Sequence, residues 1–284
     1  MKTGQMIPPT LGKDMPVTIV LSDINAARGV TMDHVATNRA YWNGMAGDWV
    51  AAGERLWALE TPEWGIWGTP DAEAPLLPKG MKGLQAAELG CGTGYVSGWM
   101  ARRGADVTGI DVSGNQLATA RRLAAQHGAE IAFVEGNAEA TGLPAASFDF
   151  AVSEYGAAIW CDPAVWLREA HRLLKPGGRL AFLGNHPLAI VTTPMNGAPT
   201  DRALHRSYRH LSRIDWTEVE FDPGGIEFNR PLAGWFALFH EIGFAVTDYR
   251  ELYARDDHGG TVFSIDADWA RDYPSEQVWW LRKL

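Results

Sequence analysis

One stretch constrains this chain more than any other: Leu84-Gln85-Ala86-Ala87-Glu88-Leu89-Gly90-Cys91-Gly92-Thr93-Gly94-Tyr95. A short apolar run ends at an acidic residue, breaks into three glycines at alternate positions, and gives way to helix-like sequence over 96–103. The pattern predicts a buried strand, a tight turn and a helix N-terminus. Glycine has no side chain to hold a ligand off the backbone and tolerates positive φ. Free N–H groups at the start of the helix favour an anionic group on that ligand. A dinucleotide fold uses G-x-G-x-x-G, whose third glycine lets helix and strand pack closely. Here the spacing is G-x-G-x-G, and Tyr95 stands where that third small residue belongs. Glu88 puts a carboxylate at the strand end, which suits a ligand ammonium and repels a pyrophosphate.

A second carboxylate follows on schedule. Ala105-Asp106-Val107-Thr108-Gly109-Ile110-Asp111 reads as the next strand, and an acidic residue about 20 positions past the first glycine can accept both ribose hydroxyls of an adenosine. NAD folds share that device, so Asp111 supports a nucleoside without choosing which. Ser113-Gly114-Asn115-Gln116 fits a capping box and starts a helix through 125. A third strand over 129–135 leads into Gly136-Asn137-Ala138-Glu139 and Leu143-Pro144. A fourth, 148–153, ends in Glu154-Tyr155. Asp162-Pro163 is an N-cap with a first-turn proline for a helix over 164–174. Lys175-Pro176-Gly177-Gly178 closes that helix before a fifth strand at 179–184.

Four ordered signals over about 84–184 thus resemble those of the class I S-adenosylmethionine-dependent methyltransferases: the glycine loop, Asp111, the Asn137-Ala138…Leu143-Pro144 turn, and helix–K-P-G-G–strand. The resemblance implies an α/β fold, a Rossmann-like doubly wound seven-stranded sheet whose last strand is antiparallel. It implies S-adenosylmethionine as cofactor and S-adenosylhomocysteine as product. The cofactor residues it points to are Glu88, Gly90, Cys91, Gly92, Gly94, Asp111, Val112, Gln116, Asn137, Ala138, Glu139 and Glu154. Asn137 departs from the acidic residue usual in relatives, but its amide oxygen can still accept from an adenine amino group. Tyr41-Trp42-Asn43-Gly44-Met45-Ala46-Gly47-Asp48-Trp49 is similar to a helix of the form Y-W-x-x-x-A-x-x-W that precedes the core in many relatives, which adds Tyr41 and Trp49. An aromatic stripe that merely docks a helix reads the same way.

The chain divides by pattern into an N-terminal extension (1–31, with 17–21 as a stray strand), a helical and lid segment (32–83), the core (84–184), a substrate-cap insertion (185–230) and a C-terminal completion of the sheet (231–284). From Asp33 the apolar positions follow helical spacing. Residues 61–83 read as a loop in which Trp64 and Trp67 must pack somewhere; a lid and sheet-edge packing both stay open. Pro231 starts a helix that ends near Gly243, 246–252 is strand six, and 277–281 is the final strand.

Composition narrows the partners. A net charge of −9 speaks against nucleic acid, since phosphate binding calls for a basic field. Two cysteines make neither a disulfide framework nor a zinc site, and point to the cytoplasm. No apolar run reaches the roughly 18–20 residues of a membrane span, and no continuous apolar leader stands at the N-terminus. His240-Glu241 lacks the second histidine of a zinc-protease helix, so no metal is expected. Thirteen tryptophans suit a core and a pocket for an apolar ligand. No N-P-P-Y or D-P-P-Y follows strand four, and no Pro-Cys pair offers a thiolate for cytosine attack. A small-molecule acceptor is therefore expected, with a homodimer left open.

In-line transfer from a sulfonium mainly needs a nucleophile held close and aligned, and some acceptors need a base. Strand ends nominate His186 and Glu154 for that role. Tyr155, Trp160, His205 and His210 are candidates for the acceptor pocket, although the basic run 202–213 reads equally as a solvated helix face. Two other functions fit parts of the sequence: a non-catalytic S-adenosylmethionine-binding protein, and an NAD(P)-dependent oxidoreductase.

Overall fold

The computed structural model describes residues 33–284; the expected extension and the strand at 17–21 lie outside them. His34–Leu284 form one compact unit. Helices α1 (His34–Met45) and α2 (Val50–Ala58) come first, then a two-residue hairpin, β1 (Glu63–Trp64) with β2 (Thr69–Pro70). The core runs β3 (Gln85–Leu89), α3 (Tyr95–Arg102), β4 (Asp106–Asp111), α4 (Gly114–Gln126), β5 (Ile131–Glu135), β6 (Phe148–Glu154), α5 (Gly156–Trp160), α6 (Pro163–Leu173) and β7 (Leu174–Asn185). After it come α7 (Pro187–Thr192), the hairpin β8 (Arg213–Asp215) with β9 (Ile226–Phe228), α8 (Leu232–Ile242) and β10 (Phe244–Leu252). A small hairpin, β11 (Thr261–Val262) with β12 (Ile265–Asp266), α9 (Ala267–Asp272) and β13 (Glu276–Lys283) complete the chain.

Seven strands make one sheet in the order β10-β13-β7-β6-β3-β4-β5. The five core strands are parallel, and β13 lies antiparallel between β7 and β10, the fold that the sequence resemblance implies. Strand order reverses between β3 and β6. At such a switch point the chain leaves for opposite faces and opens a crevice at the strand carboxyl ends. Parallel strands covered on both faces read as apolar runs, and β3 is buried from Ala86 to Leu89. One core cluster packs Trp166, Phe182, Trp235, Phe239 and Trp279; another packs Trp64, Trp99, Met100, Phe150 and Val278.

Three local readings change. The helix expected across 41–50 is broken into α1 and α2 by a turn closed from Asp48 N to Met45 O at 3.0 Å; Gly44 and Gly47 weaken helix there. The K-P-G-G turn lies inside β7, which begins at Leu174 and pairs with Phe148 before a register irregularity restores the ladder at Phe150–Arg179. Trp64 and Trp67 are fully buried in packed clusters, their indole N–H groups donating to Asp71 Oδ1 at 3.0 Å and Ser275 Oγ at 2.8 Å. The loop that carries them also brings Glu63, Gly65 and Ile66 to the site.

Among the described residues no helix is long and apolar enough to cross a membrane, and no group of three or more His, Cys, Asp or Glu is placed to hold a metal ion.

Candidate active site

The turn after β3 holds its shape through two different glycines. Gly90 (φ 77°) lies so close to the start of α5 that a Cβ there would stand 2.6 Å from Ala157 N and from Gly156 Cα. Gly92 (φ 50°) is the opposite case: a Cβ would meet nothing within 4 Å, because this residue faces a cavity. Its N–H donates to Asp111 Oδ2 at 2.7 Å, while Ser113 N donates to Oδ1 at 2.8 Å. Asp111 is thereby fixed by backbone amides on both oxygens; burial raises its pKa and those amides pull it back. Gly94 does not line the cavity: it opens α3 with a positive φ and backs onto the Phe133 ring.

Glu88 is buried, and its Oε2 accepts from Ser97 N at 2.7 Å and Ser97 Oγ at 2.5 Å. Burial pushes its carboxyl up to about 8 against those bonds. Ser113 caps α4 by accepting from Gln116 N at 3.1 Å, but the return half of the capping box is missing. Asp111 has taken the Ser113 amide, and Gln116 turns inward, where its Oε1 is buried without a partner. Cys91, Val112, Asn137 and Ala138 complete this wall. Asn137 Oδ1 accepts from Glu139 N at 3.0 Å. Glu139 itself faces away from the cavity: its Oε1 lies 2.7 Å from His34 Nε2 and accepts from Asp162 N at 2.6 Å, tying α1 to the start of α6.

A second lobe of about 400 Å³ opens beside the first, about 130 Å³, and Trp42, Trp49, Tyr95, Glu154, Tyr155 and Trp160 wall both. The larger lobe falls in the size range of small-molecule pockets. Glu154, at the end of β6, accepts from the Tyr95 hydroxyl and from Gly65 N at 3.0 Å; burial raises its pKa. Tyr155 sits at φ 55°, an uncommon conformation for a bulky residue. It aims its hydroxyl at Glu276 Oε1, 2.7 Å away, which also accepts from Ile66 N at 3.0 Å. Burial pushes Glu276 up to about 8. Trp160 meets Trp42 edge to face at 5.2 Å and Tyr41 at 5.9 Å, and Trp49 stacks on Phe263 at 5.8 Å. Tyr41, expected at the cofactor, lines only this second lobe.

Three histidines leave the site. His186 caps α7, its Nδ1 accepting from Leu188 N at 3.1 Å, and its Nε2 lies 3.3 Å from Glu251 Oε1. It lines neither lobe and is no candidate base: the Pro187 turn directs the ring into the protein, where burial, opposed by Glu251, holds its pKa down to about 4. His205 Nε2 lies 2.9 Å from Asp201 Oδ1, and His210 is exposed; neither reaches a lobe. Arg206 donates to Ile190 O at 2.8 Å and covers the Trp216 ring at 4.7 Å, and Arg202 pairs with Asp272 at 3.0 Å. The basic run is largely spent on such local contacts.

Sequence reading missed Asn38, Trp216, Glu227, Phe263 and Glu276. Asn38 is buried in α1, donates to Trp160 O and Ile226 O, and accepts from Ile226 N at 2.7 Å, joining α1 to α5 and to β9. A polar residue on the inner face of a short amphipathic helix is the one signal that could have marked it.

The first lobe fits an adenosine-type cofactor. Its open Gly92 backbone, amide-fixed Asp111, Glu88 and the orphaned buried Gln116 oxygen leave a donor-hungry wall.

Comparison with known proteins agrees. The family model described as a methyltransferase domain matches residues 87–182. A ubiquinone biosynthesis O-methyltransferase of Sinorhizobium fredii is 34% identical over 182 residues, 59% of this chain and 73% of that protein. One of Ruegeria pomeroyi is 41% identical over 142 residues, 49% of this chain and 57% of that protein. One of Pseudomonas aeruginosa is matched over 50% of its length, so this chain spans about half the length of these two relatives. Among solved structures, an S-adenosylmethionine-dependent methyltransferase from Mesorhizobium loti superposes with a TM-score of 0.58 at 27% identity, over 75% of this chain and 96% of that one.

Two outcomes follow from this geometry. Asp111→Ala should weaken S-adenosylhomocysteine binding by roughly 100-fold or more, the scale of two charge-assisted hydrogen bonds, and Gly92→Val should weaken it comparably by putting a branched side chain into the cavity at a φ of 50°. Calorimetric titration of the variants checks this. For His186, the unfolded chain takes up a proton below about 6.5 that the buried ring refuses until about 4. The stability this neutral ring contributes is complete above pH 6.5 and falls away toward pH 4. His186→Asn keeps a capping side chain and should flatten that acid limb in urea melts, with cofactor affinity unchanged.

Proposed function

The chain belongs to the class I S-adenosylmethionine-dependent methyltransferases, and on that premise we propose that it moves a methyl group from S-adenosylmethionine to a nucleophile of a small molecule, leaving S-adenosylhomocysteine. One observation carries the reading: the lobe built on Glu88, Gly92 and Asp111 shares a wall of Glu154, Tyr155 and three tryptophans with a larger second lobe. The names of the matched relatives favour an oxygen nucleophile.

Bound S-adenosylmethionine supplies a methyl group on a positively charged sulfur, an electrophile that needs no further activation. The residues of this chain do the rest. Asp111 accepts from the ribose hydroxyls, and Glu88 faces the cofactor's ammonium. Gln116 Oε1 and the Asn137–Ala138 turn receive donors at the nucleobase end. The Trp42, Trp49 and Trp160 faces exclude water and align the acceptor, which is where most of the rate enhancement of a displacement arises. Glu154, raised by burial and holding the Tyr95 hydroxyl, is the carboxylate placed to take a proton from an acceptor hydroxyl.

The segments 33–83 and 185–230 act as the cap: α1 and β9 are latched together through Asn38, and the 65–66 backbone is held by Glu154 and Glu276. A net charge of −9 and the carboxylates of the second lobe favour an acceptor other than nucleic acid. Free thiols at Cys91 and Cys161 suit a cytoplasmic setting.

Parallel calorimetric titrations with S-adenosylmethionine, S-adenosylhomocysteine and NAD test the reading. Binding of both sulfur nucleosides in a one-to-one ratio, and none of NAD, is the expected result. Preference for NAD would replace the methyltransferase reading with an oxidoreductase. Nucleoside binding with no methyl transfer across a broad acceptor screen would leave a binding protein.

A further inference from the structure

The second lobe holds more carboxyl groups than it has cations to pair with them. Glu63, Glu154, Asp222 and Glu227 line it, against Arg55 alone. Arg55 sits 3.7 Å from Glu63, so those two balance each other. No described cation comes within ion-pair distance of Glu154, Glu227 or Glu276. Arg206 lowers the pKa of Glu227 through space, but it is committed to Ile190 O and the Trp216 ring.

Glu227 is the informative member. It lines the second lobe and not the first, so the cofactor's own positive charges do not account for it. Burial pushes its carboxyl up to about 7 against the neutral donors Trp216 and Asn185, the latter's Nδ2 at a long 3.2 Å. The Tyr155 hydroxyl donates to Glu276 Oε1 at 2.7 Å, and burial together with the charges of Glu276, Glu154 and Glu227 raises its pKa. Glu276, with no exposed surface, leaves its Oε2 without a partner. Carboxylates taken out of water without a counter-charge are costly, and the aromatic faces of Trp42, Trp49 and Trp160 around them attract cations.

Resting on the methyltransferase reading above, we propose that the acceptor is a small molecule with a flat apolar body and a protonated amine, the amine being held by Glu227 within the tryptophan-lined lobe while Glu154 stays the base. A neutral acceptor would leave these carboxylates uncompensated. An anionic one would add like charge to a desolvated wall. The ammonium satisfies the carboxylates and presents its face-on charge to the indoles, while the flat body fills the slot between Trp160 and the Trp49–Phe263 stack.

The test uses the full chain saturated with S-adenosylhomocysteine, titrated calorimetrically with three probes of one shape: tryptamine, tryptophol and indole-3-propionate. Tryptamine should bind roughly tenfold or more tightly than tryptophol, the scale of one cation–π or charge-assisted contact, and indole-3-propionate should bind weakest. Glu227→Gln should erase the preference for the amine while leaving tryptophol and S-adenosylhomocysteine affinities unchanged, the latter also showing that the variant folds. Equal or tighter binding of tryptophol or the acid overturns the proposal, as does an absence of tryptamine binding to the S-adenosylhomocysteine complex. Failure to bind S-adenosylhomocysteine at all would instead sink the methyltransferase reading, and this proposal with it.

Discussion

The site depends on one steric constraint, the backbone contact between the turn after β3 and the turn after β6. A Cβ on Gly156 would stand 2.2 Å from Gly90 O, and one on Gly90 would stand 2.6 Å from Ala157 N. No side chain fits between these two turns. Because they touch, the carboxylates at the ends of β3 and β4 share a cavity with the residues at the end of β6. The sheet supplies the switch point; the glycine pair lets the two turns touch there. The fold is otherwise a scaffold for that contact, with large aromatic clusters on both sheet faces keeping the strands in register.

Around the contact, burial is used for electrostatics. Glu88, Glu154 and Glu276 are almost wholly out of water, and each is stabilised by neutral donors rather than by a cation: Ser97, Tyr95 with Gly65, and Tyr155 with Ile66. Consecutive amides at 65 and 66 reach two different carboxylates, so one short loop holds both Glu154 in the lobe wall and Glu276 behind Tyr155. Such groups are held in place yet keep unused acceptor capacity, which makes a cavity that asks for positively charged or hydrogen-bond-donating ligands.

The cofactor half of this arrangement was legible in the sequence because its determinants are local. Glu88, Gly90, Gly92, Asp111 and Asn137 lie within some fifty residues, each tied to a strand end by spacing that a reader can count. The capping box shows the limit of that method: Ser113 behaves as its pattern says, while Gln116 is diverted inward because Asp111 already holds the amide it would have taken. The acceptor half was largely illegible. Asn38, Glu227 and Glu276 come from a helix, a three-residue strand and the last strand, and no spacing connects them. His186 was drawn in by its place just past β7; a following proline and a helix start turned its ring into a cap instead. The tryptophans divided by context alone, with Trp64 and Trp67 going to the core and Trp42, Trp49, Trp160 and Trp216 to the lobe.

The most direct measurement of the central claim is a crystal structure of the chain with S-adenosylhomocysteine bound. The ribose hydroxyls should lie on Asp111, the amino-acid end of the ligand beside Glu88, and the sulfur should turn toward the lobe walled by Glu154, Tyr155 and Trp160. Density for the nucleoside outside the Gly90–Gly92 turn, or a sulfur facing away from that lobe, would contradict it.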